Sequence, residues 1–96
     1  MTNIIANLNK AFESRIRLGI MSILMVNESA DFGTIKDLLE LTDGNLASHL
    51  KALEGSDYIK CSKQFIGRKP NTKYTITALG RQSFREHLNA LENLIR

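Results

Sequence analysis

Ninety-six residues make one domain with a single thin core, which oligomerisation would reinforce. The longest nearly apolar run is Ile20–Val26 (Ser22 aside), no basic-then-apolar segment stands at the N-terminus, and Cys61 is the lone cysteine; neither a membrane-spanning helix nor a secretory signal is therefore expected, an internal disulfide is excluded, and a reducing, cytoplasmic setting is expected. The net charge of +3 is unevenly placed: residues 1–57 carry five Lys/Arg against eight Asp/Glu, residues 58–96 carry eight against two, and no acid lies between Tyr58 and Arg85, so an anionic partner or a merely solvated basic segment is expected there.

In chain order, Asn3–Phe12 reads as a short amphipathic helix with Ile4, Ile5, Leu8 and Phe12 on its apolar side. A second helix runs from Glu13 or Ser14 to Val26. Its residues Ile16, Ile20, Ile23 and Leu24 mark a buried face, widened by Leu18, Met21 and Met25, which makes it the expected central core helix. Asn27-Glu28-Ser29 is a turn, and Ala30-Asp31-Phe32 a short extended piece feeding a helix from Thr34 to about Glu40.

The next segment, Leu41 to Glu54, is the most informative. Thr42 can cap the first turn, and Leu41 with Leu46 forms a hydrophobic staple around it. Leu46, Leu50 and Leu53 then share one face. The opposite face offers Asn45, Ser48, His49 and Lys51, side chains able to reach base edges or phosphates in a major groove. Residues 34–54 thus read as helix, tight turn, helix, the arrangement that delivers a second helix to DNA. Gly44 keeps the first turn beside Asp43 thin enough for a phosphate to approach the backbone, and Lys51 is expected on the phosphate backbone rather than on a base.

Residues 58–77 read as a hairpin. Ile59, Cys61 and Phe65 alternate with Lys60, Ser62 and Gln64; Gly67–Asn71 is the turn; Lys73–Thr77 is the return strand, with Tyr74 and Ile76 inward. Phe65 and Tyr74 are expected in the hairpin core. Thr77 caps a last helix whose Phe84, Leu88, Leu91 and Ile95 form a coiled-coil-like seam. That seam, together with Ile4, Ile5 and Leu8, is the expected dimer interface, so residues 3–12 and 78–96 are the dimerisation helices of a single unit, 1–96. Cys61, His49 and His87 are the soft metal ligands, and no pair has metal-ligand spacing. There is no Ser/His/Asp triad, phosphate-binding loop or carboxylate pair, so neither cofactor, metal nor enzymatic activity is expected.

Four motifs carry a family resemblance: Ser14-Arg15-Ile16-Arg17-Leu18-Gly19-Ile20; Leu41 through Leu50; Phe65-Ile66-Gly67-Arg68-Lys69-Pro70; and Tyr74-Thr75-Ile76-Thr77-Ala78-Leu79-Gly80-Arg81. In this order they resemble the winged helix-turn-helix transcriptional regulators of the MarR/ArsR-like superfamily, and a compact bacterial and archaeal subgroup of it. The resemblance implies a mainly α fold with a small β-hairpin and extra terminal helices used for dimerisation. It also implies sequence-specific binding of double-stranded DNA by a homodimer. On this pattern Asp43, Gly44, Asn45, Ser48, His49 and Lys51 are the recognition-helix residues. Lys63, Arg68, Lys69, Thr72 and Lys73 are the wing residues, with Arg68 and Lys69 at a minor groove or the flanking backbone. The paired cysteines of metal-sensing relatives are missing. Two residues depart from the pattern: Glu40 and Asp57 stand where glycine is usual. A winged-helix module that binds protein and no nucleic acid is the alternative; a repressor with a ligand pocket between the dimerisation helices and the core is another, and the sequence names no effector.

Overall fold

The computed structural model describes residues 3–96; Met1 and Thr2 of the expected unit lie outside the described residues. A single 3-10 turn, Lys10–Phe12, leads into α1 (Arg15–Asn27), β1 (Ser29–Asp31), α2 (Phe32–Leu39), α3 (Asp43–Gly55), β2 (Ile59–Ile66), β3 (Lys69–Ile76) and α4 (Ala78–Leu94). Every helix starts on a side-chain cap, each of a kind whose loss costs about 1 kcal/mol. Ser14 accepts from the Arg17 N–H, Asp31 from Thr34, Thr42 from Asn45 and Thr77 from Gly80. The caps at Thr42 and Thr77 are those expected; that at Asp31 starts α2 two residues earlier than its apolar spacing indicated.

α2 and α3 end alike. The Glu40 and Leu41 N–H groups donate back to the Asp37 and Lys36 carbonyls, and the Asp57 and Tyr58 N–H groups to those of Glu54 and Leu53. Each is a Schellman closure, whose first residue past the cap turns left-handed and is usually glycine. Glu40 has φ 53° and Asp57 φ 61°. The two departures from the family pattern therefore fall on positions where glycine has a physical reason to be; Glu28, past the end of α1, is a third non-glycine residue with positive φ, at 59°.

The core forms around α1. Ile20, Met21 and Leu24 are fully buried against Ile35 of α2, Leu46, Leu50 and Leu53 of α3, Ile59 and Tyr74 of the sheet, and Phe84 of α4. Phe12 closes this core from the N-terminal side, its ring 5.0 Å from Tyr58 and edge-on to Phe84 at 5.2 Å. The sheet has strand order β1-β3-β2, all antiparallel. β1 covers only residues 73–75 of β3, so the outer part of the β2–β3 hairpin has no third strand. Four helices with this small sheet make a mainly α winged-helix fold.

Three expectations need correction. Residues 3–12 are not a continuous helix: turns span residues 4–7 and one 3-10 turn follows. The asparagines explain this. Asn3 accepts from the Ile5 N–H and Asn9 from the Ala11 N–H, while the Asn9 N–H donates to His87 Nδ1 at 2.9 Å, so the backbone is satisfied outside a helical ladder. Phe84 is not a free seam residue; it is spent in the core beside Phe12. Phe65 is not in the hairpin core; it is 74% exposed, because the protein body ends at the Cys61–Tyr74 pair and the strand runs on past it.

Candidate nucleic-acid interface

α3 divides as its sequence indicated, with one adjustment. Leu46, Leu50 and Leu53 are buried, and Asn45, Ser48 and Lys51 are exposed on the other side. Around Gly44 there is open space: a side chain built there would meet nothing within 4 Å. Asp43 opens the helix, where its negative charge suits the N-terminal end of the dipole, and it pairs with Lys36 of α2 at 2.7 Å across the interhelical turn. That pairing raises the Lys36 pKa. It also offsets a carboxylate that would otherwise face an incoming phosphate.

His49 lies at the flank of the buried face rather than opposite it. Its Nδ1 accepts from Arg17 Nε at 3.0 Å, and Arg17 Nη1 donates to the Ala11 carbonyl. Partial burial, and secondarily the Arg17 charge, push the His49 pKa down, so the ring is held neutral. A neutral imidazole whose Nδ1 accepts carries its proton on Nε2. No buried side-chain nitrogen lacks a partner among the described residues, so Nε2, which has no partner of its own there, lies open to solvent as a donor. Sequence reasoning misses Arg17 as a positioning residue. The available signal is its place three and four residues before Ile20 and Met21, a cation on the buried face of α1.

The wing turns at Gly67-Arg68, with Ile66 paired to Lys69. Gly67 has φ 64°, as the first central residue of a two-residue II′-type loop requires. The turn is thus shorter than the five residues expected, and β3 begins at Lys69. Pro70 is tolerated within it because Phe65–Pro70 falls on a non-hydrogen-bonded pair, leaving the proline nitrogen at the outer edge beyond β1. Residues 62–70 are all exposed; Lys63, Arg68 and Lys69 are among them, while Thr72 and Lys73 are half-buried where β3 joins the body. Cys61 pairs directly with Tyr74, whose pKa is raised by burial first and by Cys61 second.

At the chain ends, Ile4 is 77% and Ile95 85% exposed, Ile5, Leu88 and Leu91 are also exposed, and Leu8 is half-buried. The buried face of α4 is instead Gly80, Phe84, His87 and Ala90. Leu88, Leu91 and Ile95 therefore form a second face beside it. His87 is buried and neutral: burial pushes its pKa down, against the opposing pull of Glu13. An open polar cleft between the N-terminal segment and α4 is lined by Asn7, Glu86, Asn89, Ala90 and Asn93. Among the described residues, no group of three His, Cys, Asp or Glu could hold a metal ion, and no helix is long and apolar enough to cross a membrane.

Comparison with known proteins agrees with this geometry. A family model described as a winged helix DNA-binding domain matches residues 16–95. The chain is 37% identical over 79 residues to an uncharacterized protein of Methanocaldococcus jannaschii, covering 82% of this chain and 86% of that one. The solved structure of a transcriptional regulator homologue from Pyrococcus horikoshii OT3 superposes with a TM-score of 0.85 at 34% identity, covering 96% of this chain and 89% of that one. The chain is also 32% identical over 92 residues to a probable dual-specificity RNA methyltransferase of Protochlamydia amoebophila; the match takes in 96% of this chain and 25% of that protein.

Proposed function

The chain belongs to the winged helix DNA-binding domain family, and from that premise we propose that it is a homodimeric transcriptional regulator that reads a specific double-stranded DNA sequence. One observation carries this reading: the N-terminal half of α3 turns Asn45 and Ser48 outward from a firmly buried leucine face, on the same molecule as an exposed hairpin free of acidic residues. The similarity to the regulator homologue of Pyrococcus horikoshii supports it.

In this reading α3 enters the major groove by its N-terminal end. Asn45 is suited to a bidentate contact with adenine, Ser48 to either a donor or an acceptor, and His49 Nε2–H to an acceptor such as guanine N7 or thymine O4. The backbone at Gly44 and the ammonium of Lys51 take phosphates, and Asp43 stays paired with Lys36. Arg68 and Lys69 reach the flanking backbone or the minor groove. Lys63, Lys73 and Thr72 add attraction along the wing.

The dimer is held by Leu88, Leu91 and Ile95 of α4 together with Ile4, Ile5 and Leu8, which leave an apolar surface uncovered in one chain. Two recognition helices related by a two-fold axis meet successive major grooves about 34 Å apart, so the operator is a near-palindrome.

A mobility-shift titration against duplex DNA at several salt concentrations tests the reading. Arg68→Ala with Lys69→Ala should weaken binding and flatten the log K against log salt slope by one to two units, about 0.9 for each phosphate no longer neutralised. No shift at low salt would end the DNA-binding reading. Sedimentation should give a dimer that Leu88→Glu with Leu91→Glu converts to a folded monomer; a wild-type monomer at tens of micromolar would remove the dimer and the palindrome together.

A further inference from the structure

The end of the wing carries an arrangement that phosphate binding does not account for. Phe65 is 74% and Ile66 63% exposed, two large apolar side chains at the tip of a hairpin whose surroundings are polar and basic. The register gives them a definite shape. Phe65 stands directly across from Pro70 on one face of the ribbon, and Ile66 lies across from Lys69 on the other. Arg68 occupies the turn between them, and Lys63 lies two residues behind Phe65 on the same face. β1 pairs no further along β3 than Lys73, so beyond that point no third strand supports the ribbon among the described residues. The free arm from the Lys63–Thr72 pair to the turn is about four residues, which gives it a reach on the order of 13 Å. The tip is therefore a narrow projection, apolar on both faces and ringed by cations.

We propose that the wing tip is a wedge, in which Phe65, Pro70 and Ile66 enter the minor groove of duplex DNA and press apart a base step, while Arg68, Lys69 and Lys63 hold the phosphates on either side. This rests on the DNA-binding reading and adds a mode of action to it. Charge complementarity selects the occupant. The surface that fits is apolar within and anionic at its rim, and stacked base pairs walled by phosphates have that form. The tip belongs to the acid-free span from Tyr58 to Arg85, and the same chain packs β2 against α3, so a duplex met by α3 lies beside the wing. Inserted apolar side chains of this kind partly unstack a base step and bend the duplex by about 20–90°, away from the inserted groove. Pyrimidine–purine steps such as TA open most readily, so the wing would prefer one without a hydrogen bond to any base.

The experiment uses the full chain and a duplex it has itself selected from a random-sequence library, labelled at its ends with a fluorescence-transfer pair. Wild type should bring the ends together. Phe65→Ser with Ile66→Ser should bind roughly tenfold more weakly and leave the duplex nearly straight, while Phe65→Leu, which keeps an apolar wedge, should retain most of the bend. Because both side chains are exposed, the melting temperature of the double variant should match wild type, so a loss of bending is not a loss of fold. The wedge is overturned if wild type binds the duplex and leaves it straight, or if the double serine variant bends it equally. It is also overturned if that variant loses binding to phosphatidylserine vesicles, or turns a dimer into a monomer, with bending unchanged; the tip would then serve a membrane surface or a second copy. A wild type that binds no duplex at any salt defeats the DNA-binding reading itself, an outcome separate from binding without a bend.

Discussion

Replacing Gly80 by alanine should cost more stability than its single added carbon suggests. A Cβ at position 80 would collide with the Tyr58 carbonyl oxygen, and would lie 2.8 Å from its carbonyl carbon and 3.0 Å from its Cα. The obstacle is backbone, so no rotamer change relieves it. α4 would have to retreat from Tyr58 by about 1.4 Å to restore ordinary contact. The retreat would strain the Thr77 hydroxyl, which donates to the Asp57 carbonyl at 2.6 Å, and would loosen Phe84 from Phe12. Overpacking costs about 1–3 kcal/mol and a weakened hydrogen bond about 1 kcal/mol, against a gain of about 1 kcal/mol from alanine's helix propensity. The net loss is about 1–3 kcal/mol, which for a chain of this size lowers the melting temperature by roughly 5–20 °C. Thermal unfolding followed by far-ultraviolet circular dichroism reads this directly. Gly44→Ala, where nothing obstructs the added carbon, is the matched control and should melt at or slightly above wild type. A Gly80→Ala protein melting within about 2 °C of wild type would refute the packing argument.

Glu40→Gly should stabilise by about 1 kcal/mol, since it relieves a left-handed φ and removes a carboxylate from the negative end of α2; an unchanged denaturant midpoint would show that neither effect operates. Asn45→Ala should cost about 1–3 kcal/mol on the selected operator and far less on random duplex, as fluorescence anisotropy would report; equal losses on both would reduce Asn45 to a backbone contact. Stability should fall as pH drops below the ordinary histidine value near 6.5. His49 and His87 have lowered pKa values in the folded protein, so the unfolded chain binds more protons in that window, and above it their contribution is constant. Urea midpoints at pH 5.5 and 7.5 would show the loss, and His87→Asn should reduce it; a midpoint that rises on acidification would contradict the sign.

Much of this fold was written locally. The caps at Thr42 and Thr77 lie next to the helices they start, and the leucine spacing of α3 declares its buried face without help from any other element. What the sequence concealed is set between distant residues. Alternation placed Phe65 on the inward face of β2 correctly, since it shares that face with Ile59 and Cys61. Alternation carries no information on where the body under that face ends, and so an apparent core residue became an exposed tip. The α4 periodicity likewise marked Phe84 as apolar without saying that Phe12 would claim it. His49 faces partly inward because Arg17 comes to it from 32 residues away. The candidate site was legible in its residue types and in its exposed half, and illegible where one side chain positions another.

The N-terminal segment brings these distant contacts together. Its irregular backbone lets it touch three parts of the molecule directly, and a fourth through Arg17. Asn9 gives its N–H to His87 of α4 and its side-chain amide to the Tyr58 hydroxyl at the foot of the wing. Phe12 fills the space among Tyr58, Phe84 and His87. Ala11 offers its carbonyl to Arg17, which in turn holds His49 on α3. A regular helix over residues 3–12 would consume the Asn9 N–H in its own ladder, on the Ile5 carbonyl, and leave His87 without this partner. The irregular turn therefore has a physical purpose: it links the helix expected to join the dimer, the base of the wing and the recognition helix through hydrogen bonds as well as through the packing of Phe12. In both histidines the acceptor is Nδ1, so the linkage depends on two neutral imidazoles, and burial keeps them neutral.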